Sequence, residues 1–287
     1  MPLCFFVSDL HGREDRYQKL FAAIAAEKPE AVFMGGDLLP HGMRLSAAPG
    51  AGQRDFISQV LVKNFSELKE KTGSRYPEVY LIPGNDDARY HEATLLNIAA
   101  SGLWQYIHNR RSLFQTYEVY GYAFIPPTPF QLKDWERYDV SRFTDVGCVS
   151  PEEGFRTVPV SPEEIKYSTI RDDLQKLSKD RSLENGIFLF HSPPYKTFLD
   201  RAALDGQTVD HAPLDVHVGS VAIKEFIEER QPLLTLHGHI HESARMTGRW
   251  KQQIGRTTLL CAAHDGPELA LVRFDPAKPE EAGRELI

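Results

Sequence analysis

Three observations in the sequence predict an α/β fold. Short runs rich in Val, Ile, Leu and Phe recur along the 287 residues, each ended by Gly, Pro or Asp. These runs lack strict alternation of apolar and polar residues, which is typical of strands covered on both faces. Helical patterns lie between several of them and indicate layers of helix against sheet, and adjacent strand patterns near the C-terminus add antiparallel pairing.

Eight runs are predicted to be strands and four segments to be helices. The strands are LCFFVSD, AVFMGGD, EVYLIPGN, YAFIPP, GIFLFHSPP, PLLTLHGH, TTLLCAA and LALVRFD. Residues 14–28 and 54–71 each place apolar side chains on one helical stripe. The capping-box pattern SPEE at 161–164 predicts a helix to about Lys179, and GSVAIKEFIEERQP predicts the fourth.

At this length the chain has room for one large α/β domain or two small ones. It shows no internal repeat and no low-complexity tract, and we expect a single domain over residues 1–287. Three stretches without clear periodicity are predicted to be long loops or insertions, at about 38–53, 126–160 and 195–218. Loops this long are usually functional or disordered, and the middle one carries too many aromatic residues for disorder.

Composition narrows the class of function. A hydrophobic share of 41% and a charged share of 25% are those of a soluble globular protein. The net charge of −7 and the absence of a basic run argue against a nucleic-acid polymer or an anionic membrane as partner. The three cysteines are far apart, no signal peptide is apparent and no apolar window reaches the length of a membrane helix. We therefore expect a cytoplasmic protein.

Polar side chains stand at the ends of five predicted strands. In chain order they are Asp9 and His11, then Asp37, Asn85 and His191, and finally His237, His239 and His241. Singly, each has an ordinary explanation as a helix cap, a turn residue or a surface histidine. Ligands in open α/β sheets collect outside the carboxyl ends of strands, so the set is expected to converge. Together these residue types predict a metal site.

The segments DLH, GGD, GND, FHSPP and GHIH resemble, in order, the five blocks of the calcineurin-like metallophosphoesterases. With the intervening elements the resemblance covers residues 3 to about 275. A closer similarity, carried by GNDD, DWERYD, HVGS and GHIHES, is to the Icc-like phosphoesterases of bacteria and archaea. The resemblance implies a four-layer α/β/β/α sandwich, with two mixed sheets flanked by helices, that holds two metal ions.

The resemblance also implies which residues bind these metals. One metal ion would be held by Asp9, His11, Asp37 and His241. The other would be held by Asp37, Asn85, His191 and His239, so that Asp37 bridges the two. His237 matches no ligand of the family. Carboxylate, amide and imidazole donors suit Mn, Fe or Zn better than Mg.

Such a site would hydrolyse a small-molecule phosphoester. A water bridging the two metals would attack phosphorus, and Asn85 with the metals would hold the non-bridging oxygens while the leaving oxygen departs on the far side. A phosphomonoesterase or a Ser/Thr protein phosphatase is the alternative within the same fold. A metal-binding interaction scaffold is the alternative of a different class.

The sequence departs from the family at Asp86. The usual block is Gly-Asn-His, and that histidine assists the leaving group. A carboxylate cannot donate a proton, and nearby cations are expected to lower its pKa. Because Asp86 would repel a dianionic monoester more than a monoanionic diester, we expect a preference for phosphodiesters. Alternatively Asp86 only caps a turn, and one of four loop histidines serves as the acid, namely His41, His91, His211 or His217.

Further polar residues have open roles. Arg44 and Arg89 follow the Asp37 and Asn85 blocks and are candidates for a phosphate fork or ordinary loop arginines. Lys133, Trp135 and Arg137 either cover a nucleotide or aryl group or anchor the long loop to the core.

Overall fold

The computed structural model describes residues 2–41 and 55–287. Its strands, in chain order, are β1 (Cys4–Val7), β2 (Ala31–Gly35), β3 (Glu78–Ile82), β4 (Gln105–Tyr106), β5 (Arg110–Phe114), β6 (Tyr117–Tyr122), β7 (Gly186–Phe190), β8 (Thr208–Val209), β9 (Ala212–Pro213), β10 (Leu234–His237), β11 (Lys251–Ile254), β12 (Thr257–Cys261), β13 (Ala270–Phe274) and β14 (Gly283–Leu286).

Its α-helices, in the same order, are α1 (Glu14–Glu27), α2 (Lys63–Thr72), α3 (Glu92–Ala99), α4 (Pro162–Tyr167), α5 (Ile170–Leu177), α6 (Val221–Arg230) and α7 (Ser243–Thr247). A π-helical segment, Ile57–Val62, leads directly into α2. Short 3-10 turns occupy Gly73–Arg75, Arg89–His91 and Pro279–Glu281.

Two six-stranded mixed sheets form the framework. The first has the order β14-β13-β1-β2-β3-β4. Its strands β1 to β4 are parallel, β13 is antiparallel to β1, and β14 is antiparallel to β13. The second has the order β11-β12-β10-β7-β6-β5, with four central parallel strands and an antiparallel strand at each edge. Strand β2 lies against β7, and β3 lies against β6. The predicted α/β sandwich of two mixed sheets flanked by helices is confirmed.

Alternating side chains of the first sheet enter different cores. Phe6 and Phe33 belong to the cluster that also contains Phe188 and Leu236 of the second sheet. Their neighbours along the strand, such as Phe5, pack with α1, α2 and α3 on the other face. Because both faces of these strands are buried, their sequences are apolar throughout. On the outer side of the second sheet, Phe188 and Phe190 contact Phe226 of α6.

The prediction of one continuous helix from 161 to 179 is wrong, because this segment forms two helices, α4 and α5. Ser161 caps α4 by accepting from the Glu164 amide at 3.1 Å, as the capping-box pattern predicts. The chain then becomes extended at Ser168 and Thr169, and Thr169 caps a second helix, α5. The Ile170 amide donates to the Tyr138 carbonyl at 2.8 Å, so a contact with the distant loop takes the place of a helical hydrogen bond.

The strand predictions also need correction. The strand predicted for YAFIPP, residues 122–127, is wrong in position. The observed strand β6 precedes it and ends at Tyr122, and Ile125 forms only an isolated bridge with Glu136. Two consecutive prolines after Ile125 lack the amides that a ladder requires. The edge strands β5, β11 and β14 were not predicted, since their sequences RRSLF, KQQI and GREL are those of polar, partly exposed edges.

The three predicted loops have different outcomes. Of the stretch 38–53, only the part to His41 falls within the described residues. The stretch 126–160 contains no helix and no strand, and 195–218 contains only the two-stranded hairpin of β8 and β9. No helix in the described ranges is long and apolar enough to span a bilayer.

Lys133, Trp135 and Arg137 anchor the 126–160 loop to the core. The Lys133 ammonium is fully buried and paired with Glu136 at 2.5 Å. The Trp135 indole is also buried and donates to the Asp87 carbonyl at 2.6 Å. Arg137 donates to Asp173 at 2.5 Å and stacks over Phe124. These contacts favour the anchoring role over the substrate-covering one.

We predict that Lys133→Met lowers the free energy of unfolding by about 3–5 kcal/mol, because it leaves the buried Glu136 carboxylate without its cation. Lys133→Met combined with Glu136→Gln should recover much of this loss, since Gln still accepts from the Thr128 amide. Urea denaturation measures both.

The matched control is Lys278→Met, which removes an exposed pair of the same i,i+3 spacing with Glu281. It should cost less than about 1 kcal/mol. Equal losses at Lys133 and Lys278 would contradict the anchoring role.

Candidate metal centre

The candidate ligands lie beyond the carboxyl ends of central strands in both sheets. Asp9 and His11 follow β1, Asp37 follows β2, and Asn85 follows β3. His191 follows β7 in the second sheet, and His239 and His241 follow β10. The structure therefore brings to one place seven side chains that span more than two hundred positions of sequence.

One group forms around Asp9. Each of Asp9, His11, Asp37 and His241 offers a donor atom, and these atoms lie within 4.8 Å of one another. Nε2 of His11 is 3.1 Å from Nε2 of His241, and the latter is 3.3 Å from Oδ1 of Asp9. Nε2 of His11 is also 3.8 Å from Oδ2 of Asp37. Two imidazoles whose nitrogens face each other beside two carboxylates form a donor set suited to a cation.

A second group forms around His191. Its Nε2 is 3.0 Å from Oδ1 of Asn85 and 3.4 Å from Oδ2 of Asp37. The His191 and His239 rings have centroids 5.1 Å apart. Nδ1 of His191 faces the Gly35 carbonyl at 2.8 Å, an interaction that fixes the ring and leaves Nε2 for a ligand. Asp37 therefore contacts both groups.

Glycines make this close approach possible. A Cβ on Gly84 would collide with Oδ1 and the amide of Asp37, and would lie 2.7 Å from Cε1 of His191. A Cβ on Gly36 would lie 2.6 Å from Nδ1 of His191, and the φ of +96° at Gly36 also favours glycine. The glycines of the GGD and PGN segments thus leave room for the side chains of Asp37 and His191 to approach each other.

Four of the candidate ligands have left-handed backbone conformations. The φ angles are 59° at Asp9, 50° at His11, 52° at Asp37 and 75° at His239. Such conformations cost of order 1–3 kcal/mol per non-glycine residue and cluster at functional sites. Hydrogen bonds hold them here, including His11 N to Asp37 O at 2.7 Å and His239 N to Oδ1 of Asp9 at 3.1 Å.

Carboxylates and imidazoles in the centre stabilise each other's charge. Burial alone would raise the pKa of Asp9, but the His241 imidazole lowers it to about 2. Against the same burial effect, His191 and His11 hold the pKa of Asp37 well below its usual range. Burial would lower the pKa values of His191 and His241, yet Asp37 and Asp9 respectively raise each to about 9. Burial and the charge of His191 lower the pKa of His239 to about 3.

The Asp87 carboxylate joins the loops after β2 and β3. It accepts from the amides of Leu38 at 3.0 Å, Leu39 at 2.7 Å and Gly84 at 2.9 Å, and its side chain is buried. Burial and the negative charge of Asp37 raise the pKa of Asp87 to about 7. The third oxygen-bearing residue of GNDD thus has a structural role.

Asp86 lies at the more exposed side of the centre. Its amide donates to Oδ1 of Asp37 at 2.8 Å, and Asn85 Nδ2 donates to its Oδ1 at 3.2 Å. Its Oδ2 is 3.6 Å from Nδ1 of His11 and 3.6 Å from Nε2 of His41. Among the protein's own groups, burial and the charge of Asp37 raise the pKa of Asp86.

Five of the remaining histidines have other partners or positions. His237 is buried, with Nδ1 2.9 Å from the Ser192 carbonyl and Nε2 2.8 Å from the Thr235 hydroxyl. His217 pairs through Nδ1 with Oδ1 of Asp200 at 2.8 Å. His264 contacts Glu268 at 3.0 Å, His91 packs on the Tyr90 ring, and His211 is an exposed residue between β8 and β9.

The arginine fork has no support among the described residues. Arg89 donates to Glu92 at 3.1 Å and lies over the Trp135 ring, where it braces the loop. Arg44 lies outside the described residues.

Arg16 of α1 also supports the centre and is not predicted from the sequence. Its guanidinium is buried and donates to the Asp9 carbonyl at 2.5 Å and to the Gly266 carbonyl at 2.6 Å. Arg16 thereby supports the strained Asp9 backbone. The sequence signal for this role is that Arg16, a charged residue, lies next to Tyr17 on the apolar side of helix α1.

Comparisons with known proteins bear on the family and on the fold. The family model for calcineurin-like phosphoesterases matches residues 4–243. No curated protein matches the chain. The solved structure of TT1561 from Thermus thermophilus has 16% identity and a TM-score of 0.54, with 99% of this chain and 98% of that chain covered. A dimetal phosphatase from Danio rerio has 12% identity and a TM-score of 0.52, with coverage of 99% and 95% respectively. Similarity at these identities concerns the fold alone.

We predict that Gly84→Ala lowers the affinity for Mn²⁺ by about 10–100-fold, the usual effect of disturbing groups that orient ligands. The added Cβ would displace Asp37 and His191 without removing any donor atom. Calorimetric titration of the chelator-treated protein with Mn²⁺ measures the change.

Gly283→Ala is the matched control, because a Cβ there would meet nothing within 4 Å. It should bind Mn²⁺ like the wild type. Unchanged affinity in a correctly folded Gly84→Ala variant would show that Asp37 and His191 do not act together as ligands.

Proposed function

Because the chain belongs to the calcineurin-like phosphoesterase family, we propose that it is a metal-dependent phosphodiesterase with a dinuclear centre. Membership of the family supports hydrolysis of phosphoesters. The observation that carries the proposal further is the meeting of donor atoms from Asp9, His11, Asp37 and His241 within 4.8 Å, directly beside the contacts of Asp37 with His191.

The proposed ligand sets follow the two groups of contacts. Asp9, His11, Asp37 and His241 would hold one ion, and Asp37, Asn85, His191 and His239 would hold the other. The mixed oxygen and imidazole donors favour Mn, Fe or Zn. Coordination requires His191 and His241 to be deprotonated, so cations would replace the protons that these residues share with Asp37 and Asp9.

The chain's own residues define how a substrate would enter. Asp9, Asp37 and His191 are buried, with side-chain exposures of 0%, 3% and 0%, and form the inner wall. His11, Asp86 and His241 are 21%, 20% and 34% exposed and form the mouth. A small phosphoester would therefore approach past Asp86, and Asn85 Nδ2 would donate to a phosphate oxygen.

Metal ions bound in such a centre would neutralise phosphate charge and activate water at neutral pH. Burial of the inner wall excludes other water and strengthens the electrostatic interactions of Asp37 and His191. The hydrogen bond from His191 to the Gly35 carbonyl and the Asp87 contacts hold these side chains in place during the reaction.

The charge at the mouth supports the preference for diesters. Asp86 occupies the position of the family's histidine. Its backbone amide donates to Asp37, and its carboxyl group lies 3.6 Å from Nδ1 of His11. A phosphomonoester dianion brings one more negative charge to this position than a diester monoanion does. The electrostatic cost of that charge disfavours the monoester.

We predict that the wild-type protein binds about two metal ions per chain and that chelation abolishes activity until Mn²⁺ is restored. Asp37→Ala should lower occupancy of both sites, since Asp37 contacts both groups, whereas His241→Ala should lower only one. Metal content after equilibrium dialysis provides the measurement.

His264→Ala is the control, because His264 contacts Glu268 and is not a proposed ligand. Loss of only one metal equivalent in Asp37→Ala would exclude a bridging role.

We predict that kcat/KM for bis(p-nitrophenyl) phosphate exceeds that for p-nitrophenyl phosphate by about tenfold or more, which corresponds to about 1.4 kcal/mol of added repulsion. Asp86→His should raise the monoester rate and narrow the ratio, because it removes a negative charge and adds a proton donor. Steady-state kinetics with saturating Mn²⁺ test both expectations. Faster turnover of the monoester by the wild type would reject the diester preference.

A further inference from the structure

The candidate centre has a carboxyl group where its family has a proton donor. When a P–O bond breaks, a leaving oxygen of high basicity needs a proton, and an acid in the right place contributes about 10²–10⁴-fold to the rate. Asp86 offers no imidazole for this step. The four loop histidines named from the sequence are the candidates, and the structure separates them.

Of these four, His41 is the one with a contact to the GNDD segment within the described ranges. Its Nε2 is 3.6 Å from Oδ2 of Asp86. His217 is held by Asp200, His91 packs on Tyr90, and His211 lies in the β8–β9 hairpin. An imidazole therefore stands next to the position from which the family's imidazole has been lost.

The chain leading to His41 is held on two sides. The amides of Leu38 and Leu39 donate to Asp87, as described above, and Gly12 N donates to the Leu38 carbonyl at 3.0 Å. The Pro40 ring occupies the space that a Cβ on Gly12 would need, and Gly12 has a φ of +65°. These contacts fix the backbone up to Pro40, so that the position of His41 is tied to the loops that carry the candidate ligands.

His41 is also accessible to a substrate. Its side chain is 44% exposed, against 20% for Asp86, so it forms the outer part of the mouth. The Asp86 carboxylate lies between His11, a proposed ligand, and His41, with 3.6 Å to each. This arrangement places a carboxylate beside a partly exposed imidazole at the entrance of the centre.

We infer that His41 donates the proton to the leaving oxygen and that Asp86 is a positioning residue for its imidazolium. This inference rests on the proposed phosphodiesterase function. The Asp86 carboxylate stabilises the imidazolium through its Nε2 side and orients the ring toward the substrate entering the mouth. The imidazole that the family carries on the loop after β3 is thus supplied here by the loop after β2.

Atoms and electrons balance in this step. A water oxygen forms the new P–O bond and releases a proton to solvent. The bond to the leaving oxygen breaks, its electron pair stays on that oxygen, and the proton from His41 completes an alcohol or phenol. Neutral His41 then regains a proton from solvent, so no further reactant is consumed.

The test compares two diesters that differ only in their leaving group, methyl p-nitrophenyl phosphate and methyl phenyl phosphate. Nitrophenolate leaves readily without a proton, whereas phenolate is more basic and needs one. His41→Asn should lower kcat/KM for the phenyl ester by about 100-fold or more and for the nitrophenyl ester by less than about threefold. Asp86→Asn should show the same dependence on the leaving group with a smaller loss.

Two further measurements separate catalysis from structure. Metal content of His41→Asn should equal that of the wild type. Added imidazole should restore phenyl ester hydrolysis in His41→Gly. The control is His211→Asn, an exposed histidine outside the proposed machinery, which should leave both rates unchanged.

The outcomes distinguish this inference from the proposed function. Hydrolysis of both esters by the wild type, with equal losses or no loss in His41→Asn, would overturn the role of His41 and leave the phosphodiesterase function intact. Failure of the Mn²⁺-loaded wild type to hydrolyse either ester would overturn the proposed function, and the inference with it.

Discussion

The arrangement of the candidate centre depends on the Asp37 carboxylate. It is buried between the two sheets, 3.4 Å from His191 of one sheet and 3.8 Å from His11 of the other, and it accepts from the Asp86 amide. An isolated buried carboxylate would be costly, and these partners offset that cost. The lack of side chains at Gly36 and Gly84 allows the approach. One carboxylate thereby links the loops after β1, β2, β3 and β7.

Concentrating charge and strain in one place requires support from the surrounding structure. Asp9, His11, Asp37 and His239 adopt left-handed conformations that their residue types rarely favour. Arg16, Asp87 and the Gly35 carbonyl hold the neighbouring backbone and rings by hydrogen bonds. These groups would also keep the proposed ligands in position when cations arrive, so that binding energy would not be spent on rearranging them.

Sequence patterns predicted the strands β1, β2, β3, β7 and β10 and the helices α1, α2 and α6 well, because their residues are buried or amphipathic along a continuous segment. They failed where a distant contact decided the local structure. The Tyr138 carbonyl interrupts the helix after Tyr167, and the polar edge strands β5, β11 and β14 owe their conformation to pairing with neighbours.

The sequence alone determined the α/β class, the ends of the five central strands and the chemical types of the candidate ligands, because each depends on residues adjacent in the chain. Tertiary structure decided which of these groups share partners. It placed Asp37 between His11 and His191, gave Asp87 a structural role, buried Lys133 against Glu136 and set His41 beside Asp86. Such contacts depend on where separate loops meet in space, and a linear pattern of residues carries no measure of that distance.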